Sequence, residues 1–116
     1  MVFKEIMIKF TLQLTNKANN MALQIKYNLG VFEINGSINS QNTKSFRKHF
    51  ETLIDQSKSI TISLYKIKEM DNVAVNAIAY LYKKATESNK IFYIIGKQNQ
   101  KVNSVFSGEN LNYILK

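Results

Sequence analysis

ITISLYKIKEMDNVAVNAIAYLYKKATESNKIFYIIG, residues 60–96, holds a strand, a helix and a second strand in that order. Ile60, Ile62 and Leu64 alternate with Thr61, Ser63 and Tyr65, the period of a half-buried strand. Ala74, Ala77, Ile78, Leu81 and Ala85 then fall on one face of a helix. The small residues on that face let its backbone approach a sheet closely. Asp71 or Asn72 supplies the N-cap, and Asp71 also complements the positive helix end. Ile91-Phe92-Tyr93-Ile94-Ile95 is a continuous apolar run between Asn89-Lys90 and Gly96, which predicts a central parallel strand buried on both faces. Two strands joined through a helix pair in parallel by a crossover.

Working outward, residues 22–27 alternate weakly through Leu23, Ile25 and Tyr27 and predict a first strand. Asn28-Leu29-Gly30 is a turn, and Val31, Phe32 and Ile34 predict a second strand that stops at Asn35-Gly36. Residues 37–42 read as a polar loop. Phe46, Phe50, Leu53 and Ile54 then mark one face of a helix capped by Asn42 or Thr43. Downstream, Val102, Val105 and Phe106 predict a short helix ending at Gly108, and Leu111, Tyr113 and Ile114 a last strand or extended segment. The expected order is β-β-α-β-α-β-α-β: one α/β domain with a mixed sheet of four or five strands. Residues 1–20 read as an N-terminal extension upstream of a domain over 21–116. Phe10, Leu12 and Leu14 could add a strand, and Met21 is a candidate start. The stretch lacks the uninterrupted apolar core of a secretory signal, and no segment is long enough to span a membrane.

Composition excludes several chemistries. The 116 residues contain no Cys, no Pro, no Trp and one His. Disulfides, thiolate metal sites, Cys nucleophiles and any site with two imidazoles are therefore out. The formal charge is +8, a value that raises nucleic acid or an anionic membrane as partners. Of the 16 cations, however, 15 are Lys, whereas phosphate recognition leans on the planar fork of Arg. The Lys excess accompanies 14 Asn and 14 Ile, the signature of AT-rich codons, and the lysines are scattered. Codon composition accounts for most of the charge, and nucleic-acid binding is the weaker interpretation.

The ordered landmarks resemble those of the STAS domain, the family of anti-sigma factor antagonists. They are Phe32-Glu33-Ile34-Asn35-Gly36-Ser37-Ile38-Asn39, where the second strand ends in a Gly, against a family pattern apolar-x-Gly-x-Leu-Asp. Next come Ile60-Thr61-Ile62-Ser63-Leu64 leading into Met70-Asp71 and a helix, then the strand ending at Gly96. Ser107-Gly108-Glu109-Asn110-Leu111 closes the set. The resemblance covers about residues 22–116. It departs at the motif Asp-Ser-(Ser/Thr)-Gly that opens the family's second helix. There the Ser is phosphorylated by an anti-sigma kinase, which breaks the complex. Here the motif reads Asp71-Asn72-Val73-Ala74, and Asn39 stands where the family has an acidic residue after the second strand. Asn72 has no hydroxyl, so the resemblance implies a domain without the usual phospho-switch at this position.

The resemblance further implies a non-catalytic, cytoplasmic bacterial regulator of transcription, needing no cofactor or metal. Its partner would be an anti-sigma factor or kinase-like protein, bound through Asn39, Ser40, Asp71, Asn72, Val73 and Asn76. The alternative is a small STAS subunit on a lipid-transporter ATPase; the alternative of another class is a basic nucleic-acid-binding domain. Each site residue also has a plain structural role open to it. Asp71 could simply cap its helix, Asn39 could pair with Asn72 or serve its own turn, and Asn76 could be solvated. Tyr80 and Tyr82 could flank the partner surface or pack in the core. His49 reads as a boundary residue without metal-ligand companions. Glu51 and Asp55 lie on the exposed side of the first helix, with no cleft implied for acid–base work.

Overall fold

Alternating burial along the strands sets the layering. In β1 (Leu23–Asn28), Leu23 and Ile25 are buried while Gln24 and Lys26 are exposed. The same alternation runs through β3 (Ser59–Ser63) and β5 (Ile91–Ile95). One face of the sheet therefore carries the core, and the other faces outward. The computed structural model describes residues 23–116. The expectations for residues 1–20, the extra strand and the Met21 start lie outside the described residues.

The remaining elements are β2 (Val31–Ile38), α1 (Thr43–Gln56), β4 (Ile67–Met70), α2 (Asn72–Glu87), α3 (Gln100–Gly108) and a 3-10 turn at Asn112–Ile114. The sheet order is β1-β2-β3-β5, with β4 paired to β2. β1 and β2 form the antiparallel hairpin, Ile25 opposite Ile34. Its two-residue turn, Leu29-Gly30, has positive φ at both positions, as the twist of a tight hairpin requires. β3 lies parallel to β2 and β5 parallel to β3, so both strand–helix–strand units are as expected.

Four expectations are corrected. β2 does not stop at Asn35-Gly36. The strand shifts register at Gly36, which takes φ +99°, and continues to Ile38 alongside β4. The glycine marks a bulge within the strand instead of its end. Ser37 and Ile38 are buried strand residues and not loop. β4 is a strand absent from the expected order, because only its end residues Ile67 and Met70 are buried, a pattern with no period of two.

β5 is not buried on both faces: Ile91 is 60% exposed and Tyr93 45%. An unbroken apolar run does not distinguish a central strand from an outer one. The last segment is not a ladder strand: Asn112–Ile114 turns in 3-10 form before Leu115 bridges Ile94 in parallel. There Lys116 N donates to Ile94 O, and Gly96 N and Lys97 N donate to Lys116 O.

The core is aromatic at its centre. Phe50 of α1 meets Phe46, Phe32 and Phe92 at ring-centroid distances of 4.8, 5.6 and 6.2 Å, the last two edge-on. Ala74, Ala77 and Ala85 are buried on α2, where the missing side-chain bulk admits close packing. α1 and α2 lie side by side, and the loop before α1 comes up against the first turn of α2.

Candidate functional site

Asp71 organises this junction. Its backbone is extended at the N-cap position of α2, and Oδ1 accepts from Ala74 N at 2.9 Å. Oδ2 accepts from Ser40 N at 3.1 Å. One carboxylate thus caps a helix and ties a loop from 31 residues earlier to it. The structural role open to Asp71 is real, and it creates the surface at the same time.

The loop is also bonded within itself. Asn39 Oδ1 accepts from Gln41 N at 2.9 Å, and Asn39 N donates to Asn42 Oδ1 at 2.9 Å. Asn42 Nδ2 donates to Ser37 O at 2.9 Å, and the Thr43 hydroxyl donates to Asn39 O. Asn39 therefore serves its own turn, and its side chain bonds locally instead of crossing to Asn72. Asn42 stands at the N-cap of α1 but makes no capping bond, which corrects the expectation; its amide is committed to the loop.

Asn72 is the first residue of α2, and its carbonyl accepts from Asn76 Nδ2 at 2.8 Å. The same Asn76 amide reaches Glu109 Oε1 at 3.1 Å, linking α2 to the end of α3. Val73 is 47% exposed beside them. Ser40, Val73 and Asn76 line a groove of about 420 Å³ between α1 and α2, together with Thr43, Lys44, Arg47, Ala77 and Tyr80. Asn39, Asp71 and Asn72 lie outside that lining and hold its end in shape.

The α1 side of the groove is absent from the residues proposed on sequence grounds. The Arg47 guanidinium sits 4.9 Å from the centre of the Tyr80 ring. The Tyr80 hydroxyl donates to Glu51 Oε2 at 2.8 Å, and the Glu51 carboxylate raises the phenol above its ordinary pKa. Tyr80 is thus a groove residue, whereas Tyr82 packs against the core. Glu51, expected on a bare exposed face, is spent on this contact. His49 is half-buried with its ring 5.4 Å from Phe50, and burial lowers its pKa to about 4. Arg47 is the single Arg of the chain, and that singularity was the only sequence signal for this wall. Among the described residues, no three His, Asp or Glu side chains gather as a metal site, and no helix is long and apolar enough to cross a membrane.

The STAS domain family model matches residues 20–111, a span that takes in the hairpin, the Asp71 junction and α3. The chain belongs to the STAS domain family. Its fold is shared with the anti-sigma factor antagonist SpoIIAA in its unphosphorylated form, at a TM-score of 0.67 and 16% identity, covering 82% of this chain and 86% of that one. An anti-sigma factor antagonist from Mycobacterium paratuberculosis gives 0.61 and 14%, covering 86% and 88%. The Bacillus cell fate determinant SpoIIAA in its phosphorylated form gives 0.60 and 15%, covering 82% and 89%. At these identities the likeness establishes the STAS fold. No curated protein matches the sequence.

Proposed function

We propose that this STAS domain is a non-catalytic protein-binding module acting as an anti-sigma factor antagonist does, through the 39–42 loop and the first turn of α2. The observation that carries it is Asp71, whose two oxygens fasten loop and helix into one preformed face. A face fixed in advance lowers the ordering cost of association. Val73, 47% exposed at its centre, offers apolar contact that the core does not use. The partner on this reading is an anti-sigma factor or kinase-like regulatory protein, and its capture regulates transcription.

Control by phosphorylation at the start of α2 is absent on this reading. Residues 71–76 read Asp-Asn-Val-Ala-Val-Asn and hold no hydroxyl. Binding is then governed by the abundance of the partners. The test is affinity capture from the native cell, followed by mass spectrometry, with wild type, Val73→Glu and Asn72→Asp. A kinase-like protein retained by wild type and lost by both variants is the expected result, since each variant places negative charge on the face. Unchanged capture by both variants overturns the site, and recovery of a transporter ATPase redirects the pathway. A phosphate found on residues 70–76 after incubation with the captured kinase and ATP overturns the lost switch.

A further inference from the structure

We infer that the groove between α1 and α2 receives an acidic, amphipathic segment of the protein partner, its carboxylates meeting Arg47 and Lys44 while its apolar residues lie against Val73 and Tyr80. The inference rests on the protein-binding reading above and adds the chemistry of what is bound.

Charge is the first ground. The groove's two charged lining residues are both cations, and among the described residues neither Lys44 nor Arg47 makes an ion pair. Both are exposed. The second ground is preorganisation. Arg47 lies over the Tyr80 ring at 4.9 Å, and Tyr80 is itself anchored to Glu51. A guanidinium placed over an aromatic ring still has N–H donors to offer, and its planar fork matches the geometry of a carboxylate.

The third ground is the apolar strip. Val73 and Tyr80 are 47% and 43% exposed and stand two helical turns apart, roughly 10 Å along α2. A strip beside a cationic rail matches a segment that is apolar on one side and acidic on the other. Helix α1 adds a fourth ground. Its first turn carries Lys44 and no acid, an arrangement opposed by the helix dipole. A docked anion relieves that repulsion. Nucleic acid fits less well, because backbone binding neutralises many phosphates with rows of cations, and this groove offers two beside an apolar strip.

The test uses the full chain, isotope-labelled, with amide resonances followed by NMR. The probes are a two-turn amphipathic peptide of Leu and Glu, its Leu and Lys counterpart, and a thymidine oligonucleotide. The Glu peptide is expected to shift the amides of Arg47, Val73 and Tyr80, and the other two probes to leave them in place. Arg47→Glu is expected to weaken the Glu peptide about fivefold, on the scale of an exposed charge pair turned repulsive. Equal binding of the Lys peptide, no binding of the Glu peptide, or the same shifts with the oligonucleotide each overturn the inference. Partner capture separates the two readings. Loss of the native partner in Val73→Glu but not in Arg47→Glu keeps the protein-binding face and removes the acidic segment. Retention in both removes both.

Discussion

Asp71 and Asn99 do the same kind of work at the starts of two helices. Asn99 Oδ1 accepts from Lys101 N and Val102 N at the start of α3, while Nδ2 reaches the carbonyls of Leu64, Tyr65 and Ile67. Each residue is a helix cap that also holds a distant loop. Asp71→Ala removes an acceptor from two backbone amides, so urea denaturation is expected to show a loss of about 1–2 kcal/mol. His49 gives a pH dependence. Its ordinary pKa of 6.5 applies in the unfolded chain, and burial holds the folded value near 4. Between these values the unfolded state binds more protons, so stability falls as pH drops through that window. His49→Gln is expected to flatten this fall when denaturation midpoints are compared at neutral pH and midway through the window. The cap at Asp71 was legible because capping is local, three residues along one chain segment. The Asn99 clamp, the Arg47–Tyr80 contact and the lysine that closes α1 were not, because each joins residues 30 or more apart. In the last case Lys90 Nζ lies 2.6 Å from Ile54 O and 2.9 Å from Asp55 O. Composition aside, this lysine stands at a helix C-terminus, where its charge complements the last carbonyls.

At the scale of elements, the three helices were legible because each buries one stripe at helical spacing, Phe46, Phe50, Leu53 and Ile54 in α1 being the clearest. The strands were legible where a single face is covered. β4 was hidden because four residues give too short a record, and its pairing depends on the bulge at Gly36. Two glycines give a test of what the turns tolerate. Gly30 has φ +86° and open space where a Cβ would stand. Gly96 has φ +143°, and a Cβ there would lie 3.1 Å from Leu64 Cβ and 3.2 Å from its carbonyl carbon. Gly30→Ala is expected to cost about 1 kcal/mol from backbone conformation alone. Gly96→Ala adds a clash with backbone at the end of β3 and is expected to cost about 2–3 kcal/mol. Denaturation midpoints of the two variants give the ordering, and an equal loss would show that packing around Gly96 relaxes freely.

Across the whole molecule, a single layer of sheet separates two unlike surfaces. One side is the core with α1 and α2, whose junction forms the groove. The other exposes Gln24, Lys26, Ile91 and Tyr93. The family was legible at this scale from the order of landmarks, even though each motif is weak by itself. The chemistry of the groove was not, because Lys44 and Arg47 meet Tyr80 only when two helices lie side by side. The same scale gives the closing turn of the chain its significance. Leu115 and Lys116 occupy the hydrogen-bonding edge of β5 at Ile94 and Gly96. A strand with that edge bare and with Ile91 and Tyr93 exposed is a template for another strand. Deletion of residues 115 and 116 is therefore expected to make the domain self-associate, seen as concentration-dependent mass in light scattering, while far-UV dichroism stays near that of the intact chain. Leu115 and Lys116 thus cover the stretch of the β5 edge, at Ile94 and Gly96, to which an incoming strand would otherwise pair.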